Sequence, residues 1–143
     1  MKTEMKLVMD AISENEALAR VTAATFLTRL HPTLEEMEDV KTAVSEAVTN
    51  AIIHGVPEDG KVYITCACEK NIFTVTVEDH GVGIENIEKA MEPLFTTKPQ
   101  QEHSGMGFAF MEAFMDELKV TSVPGQGTVV RMEKAVGFSR YEE

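Results

Sequence analysis

Glu46 and Asn50 stand four residues apart in a segment with helical periodicity, so their side chains should share one helix face. Val44, Ala47 and Val48 crowd the pair, which indicates that it borders the core. The amide oxygen of Asn50 suits Mg²⁺, a cation that prefers oxygen ligands. The carboxylate of Glu46 could accept a proton from an attacking hydroxyl group. For this pair alone, a polar helix face exposed to solvent is the simpler interpretation. The other motifs decide between that interpretation and a catalytic site.

An aspartate and two glycines close a predicted strand. Asp79 ends that strand, and Gly81 and Gly83 follow it. Asp and Gly are common in ordinary turns for backbone reasons, which is the plain alternative. The functional interpretation is that the carboxylate accepts a hydrogen bond from the exocyclic amine of adenine, while the glycines keep side chains away from the ring.

A second glycine pair, Gly105 and Gly107, precedes a predicted helix that begins near Phe108. The first amides of a helix bind phosphate, and glycines let the backbone approach the anion closely. No Gly-Lys-Ser/Thr follows, so this is not a P-loop, and the chain lacks the lysine and catalytic-loop pattern of ordinary protein kinases. The three motifs together describe a site for ATP and Mg²⁺.

In this order and spacing, the three motifs resemble the N, G1 and G2 boxes of the GHKL ATPase/kinase superfamily. Residues 45–55 (SEAVTNAIIHG), 93–99 (PLFTTKP) and 104–108 (SGMGF) are more specifically similar to anti-sigma factor kinases of endospore-forming bacteria. The resemblance extends to about Lys134. It implies a single ATP-binding kinase domain of the GHKL (Bergerat) type, which we expect to span residues 1–143. The tail has no strong pattern of its own, and we expect residues 137–143 to be flexible.

The resemblance also implies a function and its partners. Proteins of this group are homodimeric, ATP-dependent serine kinases that hold a sporulation RNA polymerase sigma factor inactive. They phosphorylate an anti-anti-sigma factor on serine with Mg-ATP, leaving ADP. Nucleotide state would then bias which partner is bound, since a ligand shifts an equilibrium only through differential affinity.

Site residues can be carried over position by position. The resemblance implies that Glu46 is the general base, that Asn50 is the Mg²⁺ ligand and that Arg20 contacts partner proteins. The nucleotide-binding residues that it implies are Asn50, Asp79, Gly81, Gly83, Thr97, Lys98, Ser104, Gly105, Met106, Gly107 and Thr128.

Three basic residues keep more than one interpretation. Lys98, in a suspected lid over residues 92–104, could reach a γ-phosphate or could simply be solvated. His54 could join the site or stabilise the end of its helix. His80 stands where the family often has another polar residue, and its role stays open.

Two other functions use the same motifs. One is a nucleotide-sensing binding module without useful kinase activity. The other is the catalytic domain of a sensor histidine kinase, which we disfavour because no dimerisation helix with a phospho-accepting histidine precedes the nucleotide-binding motifs.

Periodicity and capping patterns predict the elements that position these residues. The predicted elements are a strand over 5–12, helices over 13–30, 33–55, 84–91 and 108–118, and strands over 61–68, 71–78, 119–123 and 128–132. The first helix should bury Leu18, Val21, Phe26, Leu27 and Leu30. This order indicates an α+β fold: a two-layer α/β sandwich with helices on one face of a mixed, mostly antiparallel sheet. By resemblance, residues 5–30 form the dimer contact.

Composition limits the classes of partner. The 143 residues are 43% apolar and carry a net charge of −11, which suits one globular domain and disfavours nucleic acid. The sequence has neither a membrane-length apolar run nor a signal peptide, so we expect no membrane contact and a cytoplasmic location. Cys66 and Cys68, two apart on a predicted strand, should be buried thiols without a disulfide.

Overall fold

Residues 1–92 and 107–137 are described by a computed structural model. The elements in chain order are β1 (Thr3–Asp10), α1 (Asn15–Leu27), α2 (Leu34–Asn50), β2 (Lys61–Glu69), β3 (Ile72–Asp79), α3 (Ile87–Ala90), α4 (Gly107–Phe114), β4 (Glu117–Val123) and β5 (Gly127–Ala135). A 3₁₀ turn (Thr28–Leu30) extends α1, and a π-helical turn (Ala51–Gly55) extends α2. The predicted two-layer α/β class is confirmed.

The sheet has the strand order β1-β2-β3-β5-β4. All four pairings between these described strands are antiparallel, so the sheet is not mixed. Two tight hairpins, β2–β3 and β4–β5, bring neighbouring strands together directly. The pairing of β3 with β5 sets Asp79 opposite Thr128.

The core lies between one face of the sheet and the helices. Alternate residues of β2 and β3 point into it, as the period-two patterns predicted. Val40, Val44 and Val48 of α2 are fully buried against them. Cys66 and Cys68 are buried and free of disulfides, and burial raises the pKa of the Cys66 thiol to about 12, which favours the protonated thiol at neutral pH.

The predicted buried face of α1 is partly wrong. Leu18 and Val21 are exposed, at 48% and 54% of their surface, whereas Ala19 and Ala23 are buried beside Phe26 and Leu27. Small residues one turn apart let α1 approach α2 closely, so the helix turns its alanines inward and leaves larger apolar side chains outside.

The sequence has two capping-box patterns, Ser13 with Glu16 and Thr33 with Glu36, and one of these predicted boxes forms. Thr33 Oγ1 accepts from the Glu36 amide at 3.0 Å, and Glu36 Oε1 accepts from the Thr33 amide at 2.9 Å. Ser13 does not cap α1, which starts after Glu14 without a side-chain cap. With Glu14 at the N-cap, the N3 position is Ala17, so Ser13 and Glu16 lack the capping-box spacing, and the Glu16 carboxylate accepts from Arg20 Nε at 2.8 Å.

The later helices are shorter than predicted. The helix expected over 84–91 spans only α3, because the Asn86 side chain caps it by accepting from the Lys89 amide at 3.0 Å. The helix expected to reach residue 118 ends at Phe114, since the chain already pairs as β4 from Glu117. Of the suspected lid, only Glu92 lies within the described residues.

Candidate active site

A cavity of about 520 Å³ opens where the end of α2, the end of β3 and the start of α4 meet. Its polar lining includes Asn50, His54, Asp79 and Thr128. Ala51, Val77 and Val130 supply apolar walls. A cleft with apolar walls and a few convergent polar groups is the usual form of a small-molecule site.

Asp79 is a carboxylic acid buried in the cavity wall, with only 4% of its surface exposed. Its Oδ1 accepts a hydrogen bond from the Gly81 amide at 3.0 Å. Burial raises the pKa of Asp79 to about 6, and the hydrogen bonds from the Gly81 and Thr128 amides oppose that rise. The group is therefore ionised at neutral pH and can accept a hydrogen bond from a ligand.

Three glycines let the backbone close around Asp79. A Cβ on Gly55 would lie 2.6 Å from Asp79 Oδ2, one on Gly81 would overlap the Gly55 carbonyl oxygen, and one on Gly127 would overlap the Asp79 carbonyl oxygen. The Val82 amide donates to the same Gly55 oxygen at 2.8 Å. Gly81 thus serves the packing behind the carboxylate and is not among the residues that line the cavity.

The sequence patterns predicted that a helix ends at Gly55 and assigned this residue no other role. The residue with left-handed backbone at this helix end is instead Val56, with φ 44°. Gly55 is required for space beside Asp79, and this role could not be seen in the sequence because the two residues meet only in the folded chain.

Gly83 lines the cavity and has a positive φ of 77°. A Cβ there would lie 2.5 Å from the Val123 carbonyl oxygen, so this glycine permits the loop after β3 to rest on the β4–β5 turn. The Gly125 amide donates to the Val82 carbonyl oxygen at 2.7 Å and holds the same contact.

Thr128 completes the cavity wall next to Asp79, with 7% of its surface exposed. Its hydroxyl lies 2.9 Å from the Ser122 hydroxyl, which also contacts the Ile84 amide at 2.7 Å and the Gly127 carbonyl at 3.0 Å. Ser122 was not predicted to belong to the site, since a single serine in a strand carries no signal of its own.

Glu46 and Asn50 lie beside the start of α4, half-buried. A Cβ on Gly107 would sit 3.0 Å from Asn50 Nδ2 and 3.3 Å from Glu46 Oε1. Asn50, Gly107 and Phe108 line the cavity. The fold therefore brings the helical Glu/Asn pair close to Gly107, the last glycine of the second glycine motif. The sequence motifs predicted that these residues share one site, although they are far apart in the sequence.

The remaining predicted residues fall into two groups. The predicted residues that lie outside the described part of the chain are Thr97, Lys98, Ser104, Gly105 and Met106. Arg20 lies on α1, forms an ion pair with Glu16, and is not among the residues that line the cavity.

The two histidines whose roles were open have different surroundings. His54 lines the cavity near the end of α2. His80 is exposed, with Nδ1 3.0 Å from Asp59 and Nε2 3.0 Å from Glu78, and its ring packs on Tyr63 at 4.7 Å. Hydrogen bonds to these two carboxylates raise the pKa of His80.

Within residues 1–92 and 107–137, no cluster of three or more His, Cys, Asp or Glu side chains could hold a metal ion. Mg²⁺ does not need such a cluster, because it commonly takes one or two protein oxygens together with water and substrate phosphates. The amide of Asn50, in the cavity wall beside Glu46, fits that kind of site.

Comparison with known proteins places this geometry among ATP-binding domains. Residues 10–134 match a family described as the histidine kinase-like ATPase domain. The anti-sigma F factor of Bacillus subtilis strain 168 is 51% identical over 142 residues, covering 98% of this chain and 97% of that protein. The anti-sigma F factor of Clostridium acetobutylicum is 57% identical over 135 residues, covering 94% of each chain.

A solved structure supports the fold. The RsbU and RsbW domains of a Mycobacterium tuberculosis protein superpose with a TM-score of 0.70 at 18% identity, covering 94% of this chain and 32% of that one. In the part of the chain that the structure describes, no helix has the length and apolar character needed to cross a membrane.

Proposed function

The chain belongs to the histidine kinase-like ATPase domain family and to the anti-sigma F factors, and we propose that it is an ATP-dependent protein serine kinase that also inhibits a sporulation sigma factor. Its phosphoryl acceptor is a serine of an anti-anti-sigma factor. The observation that carries the proposal is the cavity that joins Asp79 and Thr128 at one end to Asn50 and Gly107 at the other.

Adenine is recognised at the Asp79 end. The ionised carboxylate accepts a hydrogen bond from the 6-amino group, and Thr128 supplies a second polar contact. Val77 and Val130 give the apolar surface against which a purine ring packs. Gly81 and Gly83 maintain this pocket through the backbone contacts that only glycine permits.

The phosphates are held at the α4 end. The amides at Gly105, Met106 and Gly107 bind the phosphate oxygens, with further contacts from Thr97, Lys98 and Ser104. Asn50 would hold Mg²⁺ through its side-chain oxygen, and the bound ion would supply positive charge beside the phosphate oxygens.

Glu46 acts as the general base. It accepts the proton of the partner's serine hydroxyl while that oxygen attacks the γ-phosphorus in line with the departing ADP. Its position beside Asn50 and Gly107 supports this role, because the acceptor serine must approach the same end of the cavity. Positioning and electrostatic stabilisation account for most of the catalysis in such transfers.

Partner binding is assigned to α1 and its surroundings. Arg20 is the proposed contact for the sigma and anti-anti-sigma factors, and β1 with α1 forms a homodimer interface. A net charge of −11 suits partners that carry basic surfaces. We propose that residues 1–143 form a single domain. We also place the protein in the cytoplasm, where it would encounter both partners.

Incubation with γ-labelled Mg-ATP and candidate anti-anti-sigma factors, followed by phosphosite mapping, tests the proposal. We expect phosphoserine on the partner. Binding of ATP without transfer to any partner would instead support a nucleotide-sensing binding module. Phosphohistidine on the chain itself would support a sensor histidine kinase domain.

A further inference from the structure

Ser122 lies behind the cavity wall on β4 and takes no part in the mechanism above. Its hydroxyl oxygen makes three hydrogen bonds, to the Ile84 amide at 2.7 Å, the Gly127 carbonyl at 3.0 Å and the Thr128 hydroxyl at 2.9 Å. It is not among the residues that line the cavity, whereas Ile84 and Thr128 are. Ser122 can therefore influence a ligand only through these neighbours.

The chemistry of the three partners fixes the direction of each bond. A hydroxyl group has one hydrogen to donate and two lone pairs to accept with. The Gly127 carbonyl can only accept, so Ser122 donates its hydrogen there. The Ile84 amide can only donate, so it occupies one lone pair. Thr128 must then donate its own hydrogen to the remaining lone pair of Ser122.

This arrangement leaves the hydroxyl oxygen of Thr128, a residue of the cavity lining, with the capacity to accept but not to donate. Its hydrogen is committed to Ser122, so only lone pairs are available to a ligand. Asp79, opposite Thr128 in the β3–β5 register, is likewise an acceptor when ionised. Two neighbouring acceptors match a purine that presents a 6-amino group and oppose one that presents a 6-oxo group.

The same serine also holds the cavity rim. The Ile84 amide is bonded to it, and Gly83 rests against Val123 on the same hairpin. Loss of the hydroxyl would therefore release both the loop after β3 and the Thr128 hydroxyl. Release of the Thr128 hydroxyl would change which purine is preferred, whereas release of the loop would not.

We propose that Ser122 is a positioning residue that determines base specificity, by fixing Thr128 as a hydrogen-bond acceptor beside Asp79. This inference rests on the proposed function, because it assumes that the cavity binds a purine nucleotide.

Calorimetric dissociation constants for ATP and inosine triphosphate test it, since inosine carries a 6-oxo group in place of the 6-amino group. The preference is the dissociation constant for inosine triphosphate divided by that for ATP. In Ser122→Ala, this ratio should fall about three- to tenfold, the range that one neutral hydrogen bond supports. Ser122→Thr keeps the hydroxyl and should retain the wild-type preference. Thr121→Ala, at the exposed neighbouring position of β4, is the matched control and should leave the preference unchanged.

A Ser122→Ala protein that binds ATP more weakly but keeps the wild-type preference would show a purely structural serine and overturn the inference. If Ser122→Ala does not fold, Thr128→Val replaces it, and an unchanged preference there overturns the inference equally. Wild-type protein that binds no ATP would instead defeat the proposed function, so the two failures are distinguishable.

Discussion

At the residue scale, a substitution of Glu46 gives the clearest test of the proposed phosphoryl transfer. Glu46→Gln removes the proton acceptor but keeps the size and most contacts of the side chain. We expect serine phosphorylation to fall at least about 100-fold, the lower range for a general base, with the ATP dissociation constant within about twofold. Single-turnover transfer of labelled phosphate to the partner measures the first effect, and calorimetry measures the second.

Glu38→Gln is the matched control for this substitution. Glu38 lies on the same helix, is exposed, and pairs with Lys41 at 3.3 Å near the surface. It should leave both transfer and ATP binding unchanged. A Glu46→Gln protein that phosphorylates its partner at the wild-type rate would remove the general-base assignment.

We expect Asp79 to make ATP binding dependent on pH. Burial raises its pKa to about 6, and the ionised form is the stronger acceptor for the amino group of adenine, because the bond is then charge-assisted and no O–H competes for the site. Affinity should therefore be constant from about pH 7 to pH 8 and should weaken below pH 6, approaching tenfold per pH unit. Titration with Mg²⁺-saturated ATP between pH 5 and pH 8 measures this. Equal affinity at pH 5 and pH 7.5 would exclude the carboxylate as the adenine contact.

The same carboxylate reduces the stability of the ligand-free protein. The pKa of Asp79 is about 6 in the folded state and 3.8 for an ordinary aspartate, so the folded state binds this proton more tightly. Its contribution to the free energy of unfolding therefore decreases as pH rises from about 4 to about 6, by roughly 3 kcal/mol in all.

Asp79→Asn should accordingly raise the free energy of unfolding at pH 7.5 by about 1–3 kcal/mol, with the gain disappearing near pH 4. Asn keeps an oxygen that can accept from the Gly81 amide, so the local backbone can remain in place. Urea titrations at the two pH values measure the difference. A variant less stable than wild type at pH 7.5 would contradict the assigned cost of this buried charge.

At the element scale, the π-helical turn after α2 fixes one side of the cavity through Gly55. Gly55→Ala places a Cβ 2.6–2.9 Å from the atoms of the Asp79 carboxyl group and must displace it. We expect ATP affinity to fall more than tenfold and stability to fall by about 1–3 kcal/mol, the usual cost of overpacking. Calorimetry and urea unfolding measure the two effects.

Gly60→Ala is the control for that substitution. Gly60 has φ +71°, but a Cβ at this position would meet no atom within 4 Å, so alanine there strains only the backbone. It should cost about 1–2 kcal/mol of stability while leaving the ATP dissociation constant unchanged. Equal losses of ATP affinity in both variants would mean that Gly55 acts through general stability and not through Asp79.

Sequence patterns predicted well the elements whose signals are local. The Thr33–Glu36 capping box and the alternation of β2 and β3 need no distant contacts, and both formed. The buried face of α1 was misassigned because the close approach of another helix favoured Ala19 and Ala23 over Leu18 and Val21.

The site was predictable only in part for the same physical reason. Asp79 and the glycines of the first glycine box can be recognised by residue type and spacing. Gly55 and Ser122 cannot, because each acts through a contact that forms only in the folded chain. Long-range register, such as Asp79 opposite Thr128, becomes visible only when β3 and β5 are paired.

At the scale of the whole molecule, exposed apolar side chains on α1 support self-association. Leu18 and Val21 are each about half exposed on the same helix as Arg20. We expect a dimer in sedimentation experiments at micromolar concentration, and Val21→Glu should raise the dimer dissociation constant at least about tenfold through the cost of burying a charge.

Leu34→Glu provides the control for that measurement. Leu34 is 87% exposed at the start of α2, outside the proposed dimer region, so the change should leave the dimer intact. A wild-type monomer at micromolar concentration would reject the homodimer. Equal weakening by both substitutions would show that added negative charge, on a chain of net charge −11, is the cause.

The most direct test of the proposed ATP site is calorimetric titration of Mg-ATP into the wild-type protein and into Asp79→Asn. We expect one ATP site per chain in the wild type and loss of measurable binding in the variant, while the variant stays folded. Absence of binding in the wild type, or unchanged binding in Asp79→Asn, would contradict the assignment of this cavity to ATP.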